Sequence, residues 1–257
     1  MLLCIDIGNT NVTMGVYDGE ELIAHWRLST DHQKMPDEYG LLLLSMMTHR
    51  GIAPEQIDGI ALASVVPPVT DVFREMIAAY LPVEPLVVDT GVRTGVSVRY
   101  DPPRDVGADR IVNVAAAYRF YGGPGCIVDF GTGTTFDALS DKGDYLGGAI
   151  APGIRVAAEA LFQRAAKLPR IDLRAPRHAI GANTLDAMRS GILFGYVGLV
   201  EGMVARFRRE LGEGMRVIAT GGLADIIAAE TDVIEVVDPW LTLKGLRIIY
   251  LLNEGES

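Results

Sequence analysis

A pattern that occurs twice constrains the fold of this chain more than any other feature. Near the start, an apolar stretch runs into Asp6-Ile-Gly8, and near the middle a similar stretch runs into Asp129-Phe-Gly131. Both aspartates and both glycines are 123 residues apart, and this offset is close to half of the 257 residues. Self-similarity at a fixed offset is typical of repeated units, so we predict a chain built from two related halves.

The periodicity around each copy predicts the same order of elements. Strands are predicted at 2–7, 11–18, 22–28, 59–66 and 85–89, and again at 125–129, 134–140, 144–150, 215–219 and 233–237. Helices are predicted at 36–49, 70–80, 107–121, 154–165, 183–210 and 223–230, and from about Leu241 to the end. Three consecutive antiparallel strands argue against a simple parallel nucleotide-binding sheet. We therefore predict an α/β fold with a mixed sheet and flanking helices in each half, and ligand in the cleft between the halves.

The overall composition limits the class of protein. Hydrophobic residues make up 49% and charged residues 22% of the chain, the balance of a soluble globular protein. A net charge of −10 weighs against nucleic-acid binding, which needs a basic surface. The apolar runs are too short to span a bilayer, and the start lacks the basic region of a signal peptide. The two cysteines lie in predicted buried strands, so we expect reduced core residues and a cytoplasmic protein. From the charge and the short apolar runs we expect no binding to nucleic acid or membrane.

The two repeated turns contain the residue types that phosphate binding needs. Glycine lets backbone N–H groups approach phosphate oxygens, and Asp6 and Asp129 at strand ends could hold a hydrated Mg²⁺ or another cation. Hydroxyl donors are available from Thr10, Thr13, Thr132 and Thr134. The alternative is that both are ordinary hairpin turns, because these residues dominate turns in general. Two copies at one offset favour phosphate binding, and other nucleotide-binding motifs are missing.

Further motifs complete a recognisable series. Asp6-x-Gly-Asn-Thr-Asn11 and Gly107-Ala-Asp-Arg110 are followed by Asp129-x-Gly-Thr-Gly-Thr134, Ala182-Asn-Thr184 and Thr220-Gly-Gly222. In this order and over essentially the whole chain, they resemble the type III pantothenate kinase family. The resemblance implies the acetate-and-sugar-kinase/actin superfamily fold: two tandem ribonuclease H-like (actin-like ATPase) halves, residues 1–121 and 122–257, with mixed five-stranded sheets and an ATP cleft between them. It also implies a homodimer that phosphorylates pantothenate to 4′-phosphopantothenate with ATP, the first step of coenzyme A biosynthesis.

The resemblance further implies roles for individual residues. Asp109 matches the family's proton acceptor, and Asp129 matches its ligand of a monovalent cation (K⁺ or NH₄⁺). Asp6 matches the Mg²⁺ side, where it would act directly or through water. The matched ATP-binding residues are Asp6, Ile7, Gly8, Asn9, Thr10, Asn11, Val12, Thr13, Thr132, Gly221 and Gly222. The matched pantothenate-binding residues are Tyr100, Gly107, Ala108, Asp109, Arg110 and Thr184.

The residues themselves leave several alternatives open. A carboxylate at a helix start fits a general base, and the arginine beside it could bind the substrate carboxylate. From the residues alone, a helix-terminal aspartate favoured by the dipole and paired with Arg110 is the simpler interpretation, and the resemblance reverses that order. Tyr100 could be a loop-packing residue and Thr184 a helix N-cap. The glycines near 191, 195 and 198 suit either a dimer interface or an internal helix contact.

Two other functions remain open from the sequence. A kinase of the same fold could act on another small hydroxyl or carboxylate substrate. A protein of a different class, a non-enzymatic nucleotide-binding regulatory accessory protein, is disfavoured by the acidic charge and by the lack of a basic recognition helix.

Overall fold

The computed structural model describes residues 1–89 and 91–254. Contacts divide the chain into two compact units: unit 1 is Met1–Ala116 together with Leu241–Ser257, and unit 2 is Ala117–Trp240. The C-terminal helix therefore joins the unit formed by the N-terminal residues. The predicted halves 1–121 and 122–257 concern the duplication of the sequence and stay a prediction.

Unit 1 is built on a mixed five-stranded sheet in the order β3-β2-β1-β4-β5. Its strands are β1 (Leu2–Ile7), β2 (Asn11–Asp18), β3 (Glu21–Ser29), β4 (Gly59–Ser64) and β5 (Pro85–Val87), and its helices include α1 (Pro36–His49) and α2 (Pro67–Tyr80). β1 pairs antiparallel with β2 and parallel with β4. The last helix, α7 (Leu241–Glu254), packs on β1 and β4. Cover on both faces explains why β1 and β4 are almost continuously apolar.

Unit 2 repeats this arrangement. Its strands are β6 (Gly125–Phe130), β7 (Gly133–Leu139), β8 (Tyr145–Pro152), β9 (Arg216–Thr220) and β10 (Val236–Val237), in the order β8-β7-β6-β9-β10. Its helices are α4 (Ile154–Arg164), α5 (Thr184–Leu211) and α6 (Ala224–Ala228), and α3 (Ala108–Tyr121) runs from unit 1 into unit 2. The predicted pair of mixed five-stranded sheets flanked by helices is confirmed.

The hydrophobic core of each unit uses one face of its central strand, and only side chains on the other face are left for function. In unit 1, Leu3, Ile5 and Ile7 of β1 belong to one buried cluster with residues of α1 and α2. In unit 2, Cys126, Val128 and Phe130 of β6 belong to a cluster with α5 and α6. Side chains alternate along a strand, so Asp6 and Asp129 point to the opposite face of their sheets.

Both cysteines are free and buried, as predicted. Cys4 lies in β1 and Cys126 in β6, and burial raises the pKa of each thiol well above its usual range. A protonated, enclosed thiol is a poor nucleophile, so both residues serve as small apolar core residues.

Helix α5 spans 28 residues, Thr184–Leu211, close to the predicted range 183–210. Among the described residues it is the single helix that could cross a membrane by length and composition. A core helix passes the same test, and α5 contributes Leu193, Val200 and Val204 to the core of unit 2. Its apolar character is therefore accounted for in part by packing within unit 2.

Candidate active site

The first repeated turn joins β1 to β2 in unit 1. The Gly8 N–H donates to the Asn11 carbonyl over 3.0 Å, which closes the turn. Asn9, Thr10 and Asn11 are exposed, whereas the side chains of Ile7 and Val12 are fully buried. Those two predicted ATP-binding residues can therefore contribute only backbone groups to a ligand.

Asp6 stands directly opposite Thr13 across the β1–β2 pair. Both side chains are half-buried and lie on the same face, since residues opposite each other in an antiparallel pair share a face. A carboxylate and a hydroxyl thus flank the base of the first turn.

The second repeated turn, between β6 and β7, is one residue shorter. The Gly131 N–H donates to the Gly133 carbonyl over 3.0 Å. Because of the shorter turn, Asp129 stands opposite Thr135, so Thr135 is the counterpart of Thr13. Thr132 is exposed at the tip.

Thr134 does not offer the accessible hydroxyl that the sequence suggested. It stands opposite Phe130 and therefore faces the core of unit 2. The residue is completely buried, and its hydroxyl has no hydrogen-bond partner among the described residues. The expectation that Thr134 donates to phosphate is therefore wrong for this conformation.

Gly221 brings a predicted ATP-binding segment next to Asp129. It lies directly after β9, beside Thr220, which is the parallel partner of Asp129. A Cβ atom at Gly221 would come within 2.5 Å of Asp129 Oδ1 and 2.7 Å of the Phe130 backbone nitrogen. With its φ of +91°, this position requires glycine for both conformation and space. Gly222 follows it and is exposed.

A buried polar network extends from this region into unit 2. Thr135 donates to Asp137 Oδ2 over 3.0 Å, and the Tyr145 hydroxyl donates to Asp137 Oδ1 over 3.1 Å. Asp137 is fully buried, which a carboxylate tolerates only with such donors. The network holds Thr135 in a fixed position opposite Asp129.

The predicted substrate segment Gly107–Arg110 forms the start of α3 in unit 1. Asp109 Oδ1 accepts the Arg110 N–H over 2.8 Å, and the carboxylate folds back so far that a Cβ atom at Gly107 would lie 2.5 Å from it. Burial raises the pKa of the Asp109 carboxyl, against the opposing effect of the Arg110 N–H and guanidinium. Arg110 is itself buried. A carboxylate that holds protons more tightly than usual is a better proton acceptor near neutral pH.

Val65 links the first turn to this substrate segment. Its N–H donates to the Ile7 carbonyl over 3.1 Å, directly before Gly8. Its Cγ1 would lie 3.2 Å from a Cβ atom at Gly107. The phosphate-type turn and the start of α3 therefore lie at the same edge of the sheet of unit 1.

Tyr100 and Thr184 lie in different units. Tyr100 is half-buried in the irregular segment that precedes α3 in unit 1. Thr184 is exposed at the start of α5, where it lines a cavity of about 680 Å³ within unit 2. It is not the helix cap: Asn183 caps α5 by accepting the Asp186 N–H over 2.9 Å. The alternative role of Thr184 as an N-cap is therefore wrong.

The residues that could hold cations are carboxylates with oxygen-rich surroundings. In the described ranges no three His, Cys, Asp or Glu side chains cluster in a way that would hold a metal. Asp6 and Asp129 each have a threonine directly opposite. Oxygen ligands of this kind suit Mg²⁺ and other hard cations that complete their coordination with water or phosphate.

Two comparisons of the sequence identify related proteins. A family model described as type III pantothenate kinase matches residues 2–206. A type III pantothenate kinase of Moorella thermoacetica is 54% identical over 253 residues, covering 98% of this chain and 100% of the relative. One from Myxococcus xanthus is 50% identical over 255 residues, covering 99% and 100%.

Solved structures with much lower identity share the fold. MreB 5 of Spiroplasma citri bound to AMPPNP has a TM-score of 0.58 at 10% identity, with 98% of this chain and 96% of that chain covered. A protein of Campylobacter jejuni described as a Baf family transcriptional activator has a TM-score of 0.59 at 20% identity, with 98% of both chains covered. At these identities the likeness shows the fold alone, and it agrees with the predicted actin-like architecture.

Proposed function

The chain belongs to the type III pantothenate kinase family, and we propose that it transfers a phosphoryl group from ATP to pantothenate. The product is 4′-phosphopantothenate, and the reaction is the first step of coenzyme A biosynthesis. The observation that carries this function is in unit 1: a glycine turn of the phosphate-binding type and a carboxylate of raised pKa lie at one edge of the same sheet.

Asp109 accepts the proton of the attacking pantothenate hydroxyl. The support is its position in the first turn of α3 together with a pKa raised by burial. Phosphoryl transfer depends mainly on positioning and charge neutralisation, and a base that takes the hydroxyl proton completes the set. The N–H bond from Arg110 holds the carboxylate in one orientation.

The remaining substrate contacts are assigned to the other residues of the matched pantothenate-binding set. Arg110 pairs with the substrate carboxylate, because a guanidinium can donate two parallel hydrogen bonds to it. Tyr100, Gly107 and Ala108 contribute from the same unit as Asp109. Thr184 contributes from the cavity at the start of α5.

ATP is bound by backbone groups of the glycine turns more than by side chains. In the first turn Asn9, Thr10 and Asn11 are exposed, and backbone N–H groups there can donate to phosphate oxygens. In unit 2, Thr132 at the turn tip and Gly221-Gly222 after β9 supply further contacts. Ile7 and Val12 support the first turn from the core.

Asp6 and Asp129 hold the two cations. Asp6 would hold Mg²⁺, and Asp129, beside Thr135 and Gly221, would hold a monovalent cation, K⁺ or NH₄⁺. When bound, the cations offset the negative charge that develops on the phosphoryl oxygens. The part played by the chain is to fix the carboxylates, and the Thr135–Asp137 hydrogen bond contributes to that on the side of Asp129.

The proposal extends to assembly and compartment. Gly191, Gly195 and Gly198 lie on an exposed face of α5, where an added Cβ would meet no described atom within 4 Å. These glycines therefore make no close internal helix contact, which supports their use in a homodimer interface. We place the enzyme in the cytoplasm, in agreement with its two reduced, buried cysteines.

The test is ADP release with and without pantothenate, in K⁺ buffer and then in Na⁺ buffer. We expect pantothenate-dependent release that is faster in K⁺. A panel of other small hydroxy acids under the same conditions should give little release. A preference for another compound would replace the substrate, and no pantothenate-dependent release in either buffer would exclude the function.

A further inference from the structure

Thr30 makes two hydrogen bonds to the first glycine turn from a distant point in the sequence. It follows β3 directly, and its hydroxyl donates to the Gly8 carbonyl over 2.6 Å. Its N–H donates to the Thr10 carbonyl over 2.9 Å. One residue therefore holds the backbone before Asn9 and after Thr10.

Fixing these carbonyls also fixes the turn's donors. In a planar trans peptide the C=O and the next N–H point in opposite directions. The bond to the Gly8 carbonyl therefore sets the direction of the Asn9 N–H, and the bond to the Thr10 carbonyl sets that of Asn11. The Gly8 N–H is held by the Asn11 carbonyl, but the wide conformational range of glycine leaves the orientation of the Gly8 carbonyl to be fixed by Thr30.

The corresponding position in unit 2 also holds its glycine turn, but through the backbone instead of a side chain. Gly153 follows β8 directly and lies 123 residues after Thr30, the offset that relates the two aspartates. Its N–H donates to the Thr132 carbonyl over 2.9 Å. A Cβ atom there would approach the Thr132 oxygen to 2.2 Å and the Gly131 oxygen to 2.6 Å. Here the turn lies directly against the backbone, so the position must be glycine.

We propose that the residue after the third strand of each unit, Thr30 in unit 1 and Gly153 in unit 2, is a positioning residue for the nucleotide phosphates. It orients the N–H groups of the adjacent glycine turn before ligand binds, which lowers the ordering cost of binding. The inference rests on the proposed function, because the nucleotide is the ligand of both turns.

The test compares Thr30→Val, which removes only the hydroxyl, with Thr30→Ser, which keeps it. Loss of one neutral hydrogen bond corresponds to roughly a 3- to 10-fold effect. We expect Thr30→Val to raise the KM for ATP by that factor and to leave the KM for pantothenate unchanged. Thr30→Ser should restore the wild-type value. Thr48→Val, an exposed threonine on α1, is the matched control and should change neither constant.

A second measurement judges the positioning role without any activity. Amide hydrogen exchange of Gly8 and Thr30, in the ligand-free protein, should be faster in Thr30→Val and unchanged in Thr30→Ser. Equal exchange in all variants, or a KM for ATP that does not separate Val from Ser, would overturn the inference. Absence of pantothenate-dependent ADP release in the wild type would instead overturn the proposed function, and the exchange result would still decide whether Thr30 holds the turn.

Discussion

Asp109 is the residue on which the proposed chemistry depends most. Its position in the first turn of a helix favours the carboxylate form, through the helix dipole and the Arg110 N–H, whereas burial favours the protonated form. Burial is the larger effect, so the pKa is raised. A helix-terminal aspartate with only a structural role would usually have its pKa lowered, and this difference supports the role of a base.

Replacing Asp109 by asparagine should remove the proton acceptor with little change of shape. We expect kcat to fall by roughly 10²- to 10⁴-fold, the usual contribution of a general base. Steady-state ADP release measures the effect. Asp105→Asn, an exposed aspartate in the preceding turn, is the matched control and should stay near wild type. Near-normal kcat in Asp109→Asn would leave Asp109 as a binding group only.

The raised pKa of Asp109 also predicts the pH dependence. A base acts in its deprotonated form, so kcat/KM should fall as the pH drops through the pKa of this carboxyl. Because burial raises that pKa, the fall should begin at a higher pH than the ordinary aspartate value of about 3.9 implies. The pH–rate profile of the wild type should show this fall as an acid limb, and the profile of Asp109→Asn should lack it. An identical acid limb in the variant would assign the limb to another group.

The proposed site residues that lie within motifs could be named from the sequence, whereas residues outside the motifs that contact them could not. Asp6, Asp109 and Asp129 stand in short recognisable stretches. Thr30 bonds the first turn from the end of β3, and Asp137 holds Thr135, which stands opposite Asp129; only the folded sheet reveals these contacts. Thr135 was missed because a turn shortened by one residue moves the counterpart of Thr13 by one position.

At the scale of elements, the turn after β9 in unit 2 makes an unusually close contact. In unit 2 the β9–α6 turn lies so close to the end of β6 that Gly221 touches Asp129. At Gly221 a side chain would suffer both backbone strain and steric overlap. Gly212, which ends α5, has a similar φ of +94°, but an added Cβ there would meet no described atom within 4 Å. Comparison of the two sites therefore distinguishes the cost of backbone strain from the cost of steric overlap.

Gly221→Ala should destabilise the protein more than Gly212→Ala. Both variants introduce backbone strain of about 1–3 kcal/mol. Gly221→Ala additionally forces a methyl group against Asp129 and the backbone of Phe130, at a cost of about 1–3 kcal/mol more. Urea unfolding of both variants measures the difference. Equal free energies of unfolding would show that the turn moves away from Asp129 without cost.

Most elements were predictable because their signals are local. Apolar strands and the proline at the first position of α1 gave positions close to those observed. α2 begins at Pro67, three residues before the predicted start, because proline is favoured in the first turn of a helix. β10 has only Val236–Val237, since its pairing with β9 ends there, and pairing length is not encoded in the strand itself.

At the scale of the whole molecule, the two units share one strand order and differ in the segments added to it. Both units keep the same strand order, and both hold the glycine turn from the end of the third strand. Unit 1 adds Gly107–Arg110 beside its turn, whereas unit 2 adds the long helix α5 with its exposed glycines. We infer that unit 1 provides the substrate chemistry and unit 2 the surface for assembly.

The assembly is tested by the mass in solution. The wild type should elute as a dimer of the 27.7 kDa chain in size-exclusion chromatography with light scattering. Gly195→Arg places a long charged side chain on the exposed glycine face of α5 and should shift the mass toward the monomer. Glu210→Arg, exposed at the end of the same helix, should not. A monomeric wild type, or a dimer that Gly195→Arg does not weaken, would contradict this use of α5.

Identification of the reaction product tests the central claim most directly. The wild-type protein, incubated with ATP, Mg²⁺, K⁺ and pantothenate, should form a phosphorylated pantothenate, detected by mass spectrometry and phosphorus NMR. The NMR coupling should place the phosphate on the primary hydroxyl, and Asp109→Asn should form the same product far more slowly. ATP consumption without phosphorylated pantothenate, or a phosphate on the secondary hydroxyl, would contradict the account.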